Sequence, residues 1–262
     1  GKVRLVRGSH IVLPRLYEGE HAYILQNDDR RVVFAIPYEG RFTLVGTTDV
    51  PHEGDPATAH CTDAEADYLC AAVSRQFRTQ VTRANIAWRY SGVRPLFDDG
   101  AEDPSAVTRD YVLKLDEAQA PLLSIYGGKI TTFRRLAEEA AGMIGAAIGR
   151  EGTPWTARAV LPGGDLGGRT REAFTEEMAR ALPHLPRAWL PRLVRTHGAL
   201  LPEVMGGDPG EHLGAGLSER ELEWMRAEEW AMHPDDVLWR RTKLGLHMSE
   251  GERAAVAARF AA

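Results

Sequence analysis

Between Ala120 and Gly142 the chain reads APLLSIYGGKITTFRRLAEEAAG, a strand pattern, a glycine break and a helix pattern in direct succession. The apolar run Leu122, Leu123, Ile125 and Tyr126 stops at Gly127-Gly128. A helical period then runs through Arg134, Leu136, Ala137, Ala140 and Ala141. A strand that turns into a helix over so few residues needs glycine at the turn, because glycine reaches backbone conformations closed to other residues. Thr131 or Thr132 is placed to cap the helix. The backbone of such a turn can approach a ligand closely, and the first helical N–H groups attract partial negative charge. An electron-rich ring edge or a phosphate fits there. A lone GGK is more often a plain βα turn with a solvated lysine, so the rest of the chain has to decide.

The 262 residues leave room for roughly two domains, and an apolar content of 44% is enough to build cores. A net charge of −5 argues against a nucleic-acid binder working through a basic face. The lysines are Lys2, Lys114, Lys129 and Lys243 alone, so Lys129 is not one of a lysine coat. Cys61 and Cys70 are too few for a disulfide framework and lack metal-ligand spacing, which points to a reducing, intracellular setting. The opening GKVRLVRGSHIV lacks the apolar core and cleavage site of a signal peptide. No window approaches the ~18 apolar residues of a membrane span. Beginning at Gly1 inside a strand pattern, the chain reads as part of a longer protein.

Residues 3–50 read as an antiparallel meander: Val3–Val6, a break at Gly8-Ser9-His10, Ile11–Leu13, then Tyr23–Leu25 and Val32–Ile36 joined by Asn27-Asp28-Asp29. Phe42–Val45 ends in the polar cluster Gly46-Thr47-Thr48-Asp49. Thr62-Asp63-Ala64-Glu65 is a capping box opening a helix to about Phe77. Strands follow at Ile86–Val93 and Thr108–Leu115, separated by an acidic loop with Asp98, Asp99, Glu102 and Asp103. At Gly152–Gly168 proline and glycine accumulate, and beyond that the pattern is helical. Ser218–Glu221 and Ser249–Glu252 read as further capping boxes, and Pro234 suits the first turn of a helix through Leu246. The expected fold is α+β over 1–152, followed by a small all-helical domain over 153–262.

The chain contains no dinucleotide GxGxxG between strand and helix, and no Walker A, HExxH or GxSxG. Four basic or titrating residues fall at expected strand ends: His10, Arg94, Arg109 and Lys129. Each alone is commonly structural. Arg94 stands between Gly92 and Pro95, where the backbone is stiff. If those ends converge they form a cationic pocket suited to a phosphate, with a histidine able to act as a base near neutral pH. Trp88 and Tyr90 alternate on one strand as core or face residues. Arg240 and Arg241 are positioned to pair with acids across helices.

Taken in order, GSHIVLPR (8–15), VGTTDV (45–50), WRYSGVRPL (88–96), TRDY (108–111), YGGKITTFRRLAE (126–138), VLPGG (160–164) and DDVLWRRTKLGL (235–246) resemble the later half of the bacterial FAD-dependent glycerol-3-phosphate dehydrogenase family. The resemblance spans nearly the whole chain. It implies a flavoprotein similar to D-amino-acid oxidase, with a substrate domain on antiparallel sheet and a helical carboxy-terminal domain. By motif match His10 takes the place of the base for the C2 hydroxyl, and Arg94 that of the arginine beside flavin and substrate. Arg109 and Lys129 match basic residues of the substrate pocket, and the segment Gly128, Lys129, Thr131, Thr132 the stretch running past FAD.

The implied reaction oxidises glycerol 3-phosphate to dihydroxyacetone phosphate and passes electrons to quinone. The implied setting is cytoplasmic, with peripheral contact at the inner face of the plasma membrane; a homodimer is compatible with it. The ADP-gripping fingerprint of FAD is absent from these residues, so the isolated chain is expected to be inactive. Two other readings are a glycerol-3-phosphate oxidase handing electrons to oxygen, and a cap or interaction module with no chemistry of its own.

Overall fold

The computed structural model describes residues 3–97 and 110–261. Arg109, one of the expected substrate residues, lies outside them, as do the acidic loop and the start of the strand expected from Thr108. The chain divides into two compact units, Gly1–Ala157 and Arg158–Ala262. The first unit runs past Gly152 because Thr156 is tied back to it: its hydroxyl donates to Glu138 Oε1 at 2.9 Å and accepts from Arg134 at 3.1 Å.

The first unit is built on an antiparallel sheet. Strands β1 (Val3–Pro14), β2 (Tyr23–Gln26), β3 (Val32–Tyr38), β4 (Phe42–Gly46) and β5 (Val50–Pro51) run in the order β2-β3-β4-β1-β5. Strand β6 (Trp88–Phe97) pairs with β1 over most of its length. Helix α1 (Asp63–Gln76) opens on the expected box, with Thr62 and Glu65 capping reciprocally. It lays Ala66, Leu69, Cys70 and Val73 against Ile11, Leu13, Leu25, Val33, Ala35 and Val45. These sheet residues alternate along their strands, so one face of the sheet is core. A hairpin, β7 (Val112–Asp116) with β8 (Leu122–Tyr126), leads through Gly127-Gly128 into α2 (Phe133–Ala147).

Strand β1 is continuous, which corrects the expected break at Gly8-Ser9-His10. His10 and Arg94 accordingly sit inside strands rather than at their ends. Polar residues and a glycine imitate a loop locally; each has a tertiary partner that keeps it in the sheet.

The second unit contains α3 (Arg171–Ala181), α4 (Leu190–His197), α5 (Leu201–Met205), α6 (Glu219–Glu228) and α7 (Glu250–Ala258). It also carries a short antiparallel pair, β9 (His212–Gly214) and β10 (Leu217–Ser218), that a purely helical reading lacks. No single helix runs from Pro234 to Leu246. A π-helical turn, Asp236–Arg241, gives way at Lys243 (φ 57°) to a 3₁₀ turn, Leu244–Leu246. The chain folds back there so that the Trp239 ring lies on Gly245, where a Cβ would come within 2.7 Å of it. Arg240 pairs with Asp236 one turn earlier rather than across helices. Among the described residues no helix is long and apolar enough to cross a membrane.

Glu221 departs from its expected role. Ser218 caps α6 by accepting from the Glu221 N–H, but the Glu221 carboxylate does not return the bond. It is fully buried and takes both forks of Arg192 at 2.7 Å and His197 Nε2 at 3.0 Å. Burial pushes its pKa up, and the bonds and charge from Arg192 and His197 outweigh that, leaving it below the ordinary 4.5. A carboxylate depressed in the folded state contributes its stability above the unfolded value and loses it as pH falls through the folded one. Arg192→Met, which leaves this carboxylate short of its main partner, is expected to lower unfolding free energy by about 3–5 kcal/mol near neutral pH. Urea titration followed by tryptophan fluorescence reads the loss, and the deficit should shrink as the medium is acidified below pH 4.5.

Candidate functional site

With Ile11 and Leu13 turned to the core, Gly8, His10 and Val12 face the other side of β1. Cross-strand register continues that face: Phe34, Gly46, His10 and Tyr90 form one row, Gly8 and Gly92 the next, and Val6 and Arg94 the third. His10 and Arg94 therefore stand two rows apart on one open face. Apolar Ile24, Val32, Phe34 and Ile36 share it and are exposed.

Two glycines make room for the two side chains. A Cβ on Gly8 would lie 2.5 Å from Arg94 Nη2, and one on Gly46 would overlap the His10 ring. Glycine inside a strand here marks side chains lying flat on the sheet. Gly92, on the same face, has nothing within 4 Å of where its Cβ would be. The His10 ring stacks on Tyr90 with centroids 5.1 Å apart and planes 6° apart, and Tyr90 stacks on Trp88 at 4.7 Å. Trp88 and Tyr90 are face residues.

His10 Nδ1 is buried and, among the described residues, has no hydrogen-bond partner. Burial first, then the Arg94 charge, lowers the imidazole pKa below its ordinary 6.5. The lowering favours the neutral ring near neutral pH, and none of the described residues fixes its tautomer through Nδ1.

Arg94 Nη1 donates to Asp49 Oδ1 at 2.8 Å, and Nη2 to Thr47 Oγ1 at 3.4 Å. The arginine also lines a cleft of about 480 Å³ with Val93, Leu96, Gly128, Lys129 and Ile130. Lys129 Nζ lies 3.4 Å from Asp110. So Arg94 adjoins His10 on the sheet and Lys129 in the cleft; Arg109 falls outside the described residues.

Gly127 and Gly128 adopt φ of 67° and 108°, conformations that require glycine at this turn. Thr131 and Thr132 fall in a 3₁₀ turn ahead of α2. Thr132 precedes the helix but does not cap it: its hydroxyl donates to Lys129 O at 3.0 Å. With φ −106° and ψ 3° its backbone is not extended, as a capping residue's is. The first N–H groups of α2 are left without a side-chain cap.

Sequence reasoning passed over Asp49, Thr47 and Thr48 as single residues. Their signal was the Gly46–Asp49 polar cluster at the end of a strand, where polar residues follow a glycine.

Residues 1–134 match the model of a family described as FAD dependent oxidoreductase. The chain is 47% identical over 258 residues to a glycerol-3-phosphate dehydrogenase of Pseudomonas aeruginosa, covering 96% of this chain and 50% of that protein. It is 44% identical over 259 residues to a D-erythritol 1-phosphate dehydrogenase of Brucella abortus, covering 97% and 52%. The chain thus spans about half the length of the curated relatives it matches. Its fold is also that of a glycerol-3-phosphate dehydrogenase from Bacillus halodurans solved with FAD, at TM-score 0.76 and 23% identity over 98% of this chain and 56% of the other.

The glycine contacts generate a paired test. Gly46→Ala pushes a methyl group into the His10 ring and is expected to cost about 1–3 kcal/mol. Its His10 resonances should titrate closer to 6.5 as the ring is driven toward solvent. Gly92→Ala meets open space and should leave both the unfolding midpoint and that titration unchanged.

Proposed function

The chain belongs to the FAD dependent oxidoreductase family, and on that premise we propose that it forms the substrate-side portion of an enzyme oxidising sn-glycerol 3-phosphate to dihydroxyacetone phosphate. The observation carrying this reading is His10 beside Arg94 on one open sheet face, next to the cleft that Arg94 shares with Lys129. The residues present suit FAD. The bare position at Gly92 leaves a floor between Tyr90 and Arg94 for a flat ring. Gly128, Lys129, Thr131 and Thr132, at the uncapped start of α2, would hold an electron-rich ring edge.

Oxidation removes a hydride from C2 and a proton from its hydroxyl while the C2–O bond becomes a carbonyl. When bound, FAD supplies the acceptor for the hydride. The neutral imidazole of His10 accepts the hydroxyl proton. Arg94, a fork of five donors with Asp49 and Thr47 on two of its nitrogens, stabilises the negative charge that grows on the oxygen. Lys129 and, by motif match, Arg109 hold the phosphate. The Brucella abortus relative at 44% identity supports a second reading, in which the same site takes D-erythritol 1-phosphate, a longer phosphorylated polyol. Relative flavin-reduction rates with the two substrates separate the readings.

The motif resemblance further supports quinone as electron acceptor, with oxygen as the alternative. It also supports a cytoplasmic enzyme held peripherally at the inner face of the plasma membrane, and a homodimer. Oxygen uptake with peroxide formation by the complete protein would favour the oxidase. The isolated chain is inactive on this reading, since it exposes the apolar rim around the site and lacks an ADP grip. Purified alone it should be colourless, and a stoichiometric yellow preparation would overturn this.

In the complete flavin-loaded protein, His10→Asn is expected to slow flavin reduction by about 10²–10⁴-fold with little change in substrate affinity. The wild-type rate should fall on an acid limb below pH 6.5, because the depressed pKa keeps His10 neutral above it; the mutant should lack that limb. Stopped-flow reduction across pH decides, and wild-type rates in the mutant would remove His10 from the mechanism.

A further inference from the structure

Behind the open face, one carboxylate joins the elements that carry His10 and Arg94. Glu65 stands in the first turn of α1 and is almost wholly buried. Its Oε2 takes the Thr62 N–H at 3.0 Å and the Thr62 hydroxyl at 2.7 Å, which serves the helix cap. Its Oε1 does something a cap does not require. It accepts the Ser9 hydroxyl of β1 at 2.8 Å and the Thr48 hydroxyl of the β4–β5 loop at 2.9 Å. Arg7 completes the set, with Nη2 at 3.1 Å from Oε2 and Nε donating to Oε1 at 3.4 Å. Burial works to raise the Glu65 pKa, and the bonds from Thr62, Ser9 and Thr48 outweigh it, bringing it down to about 2. The carboxylate is therefore charged near neutral pH.

Ser9 and Thr48 are also bonded to each other. The Ser9 N–H donates to Thr48 Oγ1 at 3.0 Å, and the Thr48 N–H to Ser9 O at 3.4 Å. Ser9 Oγ lies 2.7 Å from Ser91 Oγ on β6. Ser9 precedes His10 on the opposite face of the same strand, while Thr48 stands between Thr47 and Asp49, the two residues that hold Arg94. A displacement at Glu65 therefore reaches His10 through its peptide link to Ser9, and Arg94 through the neighbours of Thr48 and their hydrogen bonds.

We infer that Glu65, acting through Ser9 and Thr48, is a positioning residue that fixes His10 and Arg94 relative to each other for proton removal. The inference rests on the function proposed above. The clamp sits behind the sheet and touches no reacting atom. Its contribution is geometric, and misplacement of about 1 Å can cost 10²-fold in rate.

The test uses the complete flavin-loaded protein with sn-glycerol 3-phosphate. Glu65→Gln also weakens the helix cap, so Thr48→Val, close in shape but without the hydroxyl, carries it, with Thr48→Ser as the conservative rescue. Thr48→Val is expected to slow flavin reduction about 10- to 100-fold while the apparent substrate affinity stays within threefold or so. Thr48→Ser should reduce flavin near the wild-type rate. Where Thr48→Val does not load flavin, Ser9→Ala removes the other hydroxyl on the same carboxylate oxygen and is read by the same rule. Wild-type reduction by Thr48→Val, or a Thr48→Ser variant as slow as Thr48→Val, overturns the inference. His10→Asn measured alongside separates the two levels. If it is slow while Thr48→Val is fast, only the clamp falls; if both are fast, the assignment of His10 falls as well.

Discussion

Because successive side chains on a strand point to opposite faces, β1 cannot bury Ile11 and Leu13 against α1 without presenting Gly8, His10 and Val12 on the other side. A shift of one residue in register would put an imidazole in the apolar core and leave two large aliphatic side chains in the open. The hydrophobic pattern of β1 therefore fixes the direction of His10. Register with β6 then brings Arg94 to the same face two rows away. The site is a consequence of the packing behind it, and the stability of that core sets how firmly its geometry is held.

Both faces also need small residues at chosen places. Gly8 and Gly46 leave space for a guanidinium and an imidazole to lie against the sheet, and Gly92 leaves open floor between them. Ser9 and Thr48, fully buried on the helix side, are tolerated because Glu65 accepts from both; a buried hydroxyl without a partner would be costly.

Two glutamates that look alike in sequence end in different work. Glu65 and Glu221 each stand three residues after a hydroxyl residue at a helix start. Glu65 closes its capping box and has a second oxygen left for β1 and the β4–β5 loop. Glu221 abandons the box for Arg192 and His197, because Arg192 reaches it from α4 and completes two short bonds at a buried position. Local spacing was the same; the neighbours brought by the fold were not. For Ser249 and Glu252 at the start of α7, the carboxylate stays on Ser249 and the box forms as the spacing implies.

What the chain determines on its own is whatever depends on near neighbours. The α1 cap, the β2–β3 turn, the β8–Gly127-Gly128–α2 succession and the shift to helix in the second unit all follow from period, caps and glycine, which act over a few residues. Seven short motifs in order also carried the family. Tertiary structure alone decided that Gly8-Ser9-His10 stays in a strand, that Thr132 does not cap α2, and that the stretch after Pro234 breaks at Lys243. In the first and last of these, partners distant in sequence or backbone packing override local preference: Arg94, Glu65 and the Trp239 ring. The meeting of His10 with Arg94 belongs to the same class. It arises from strand pairing across more than eighty positions of chain, a separation at which sequence period carries no information and only the burial of the sheet's other face selects the register.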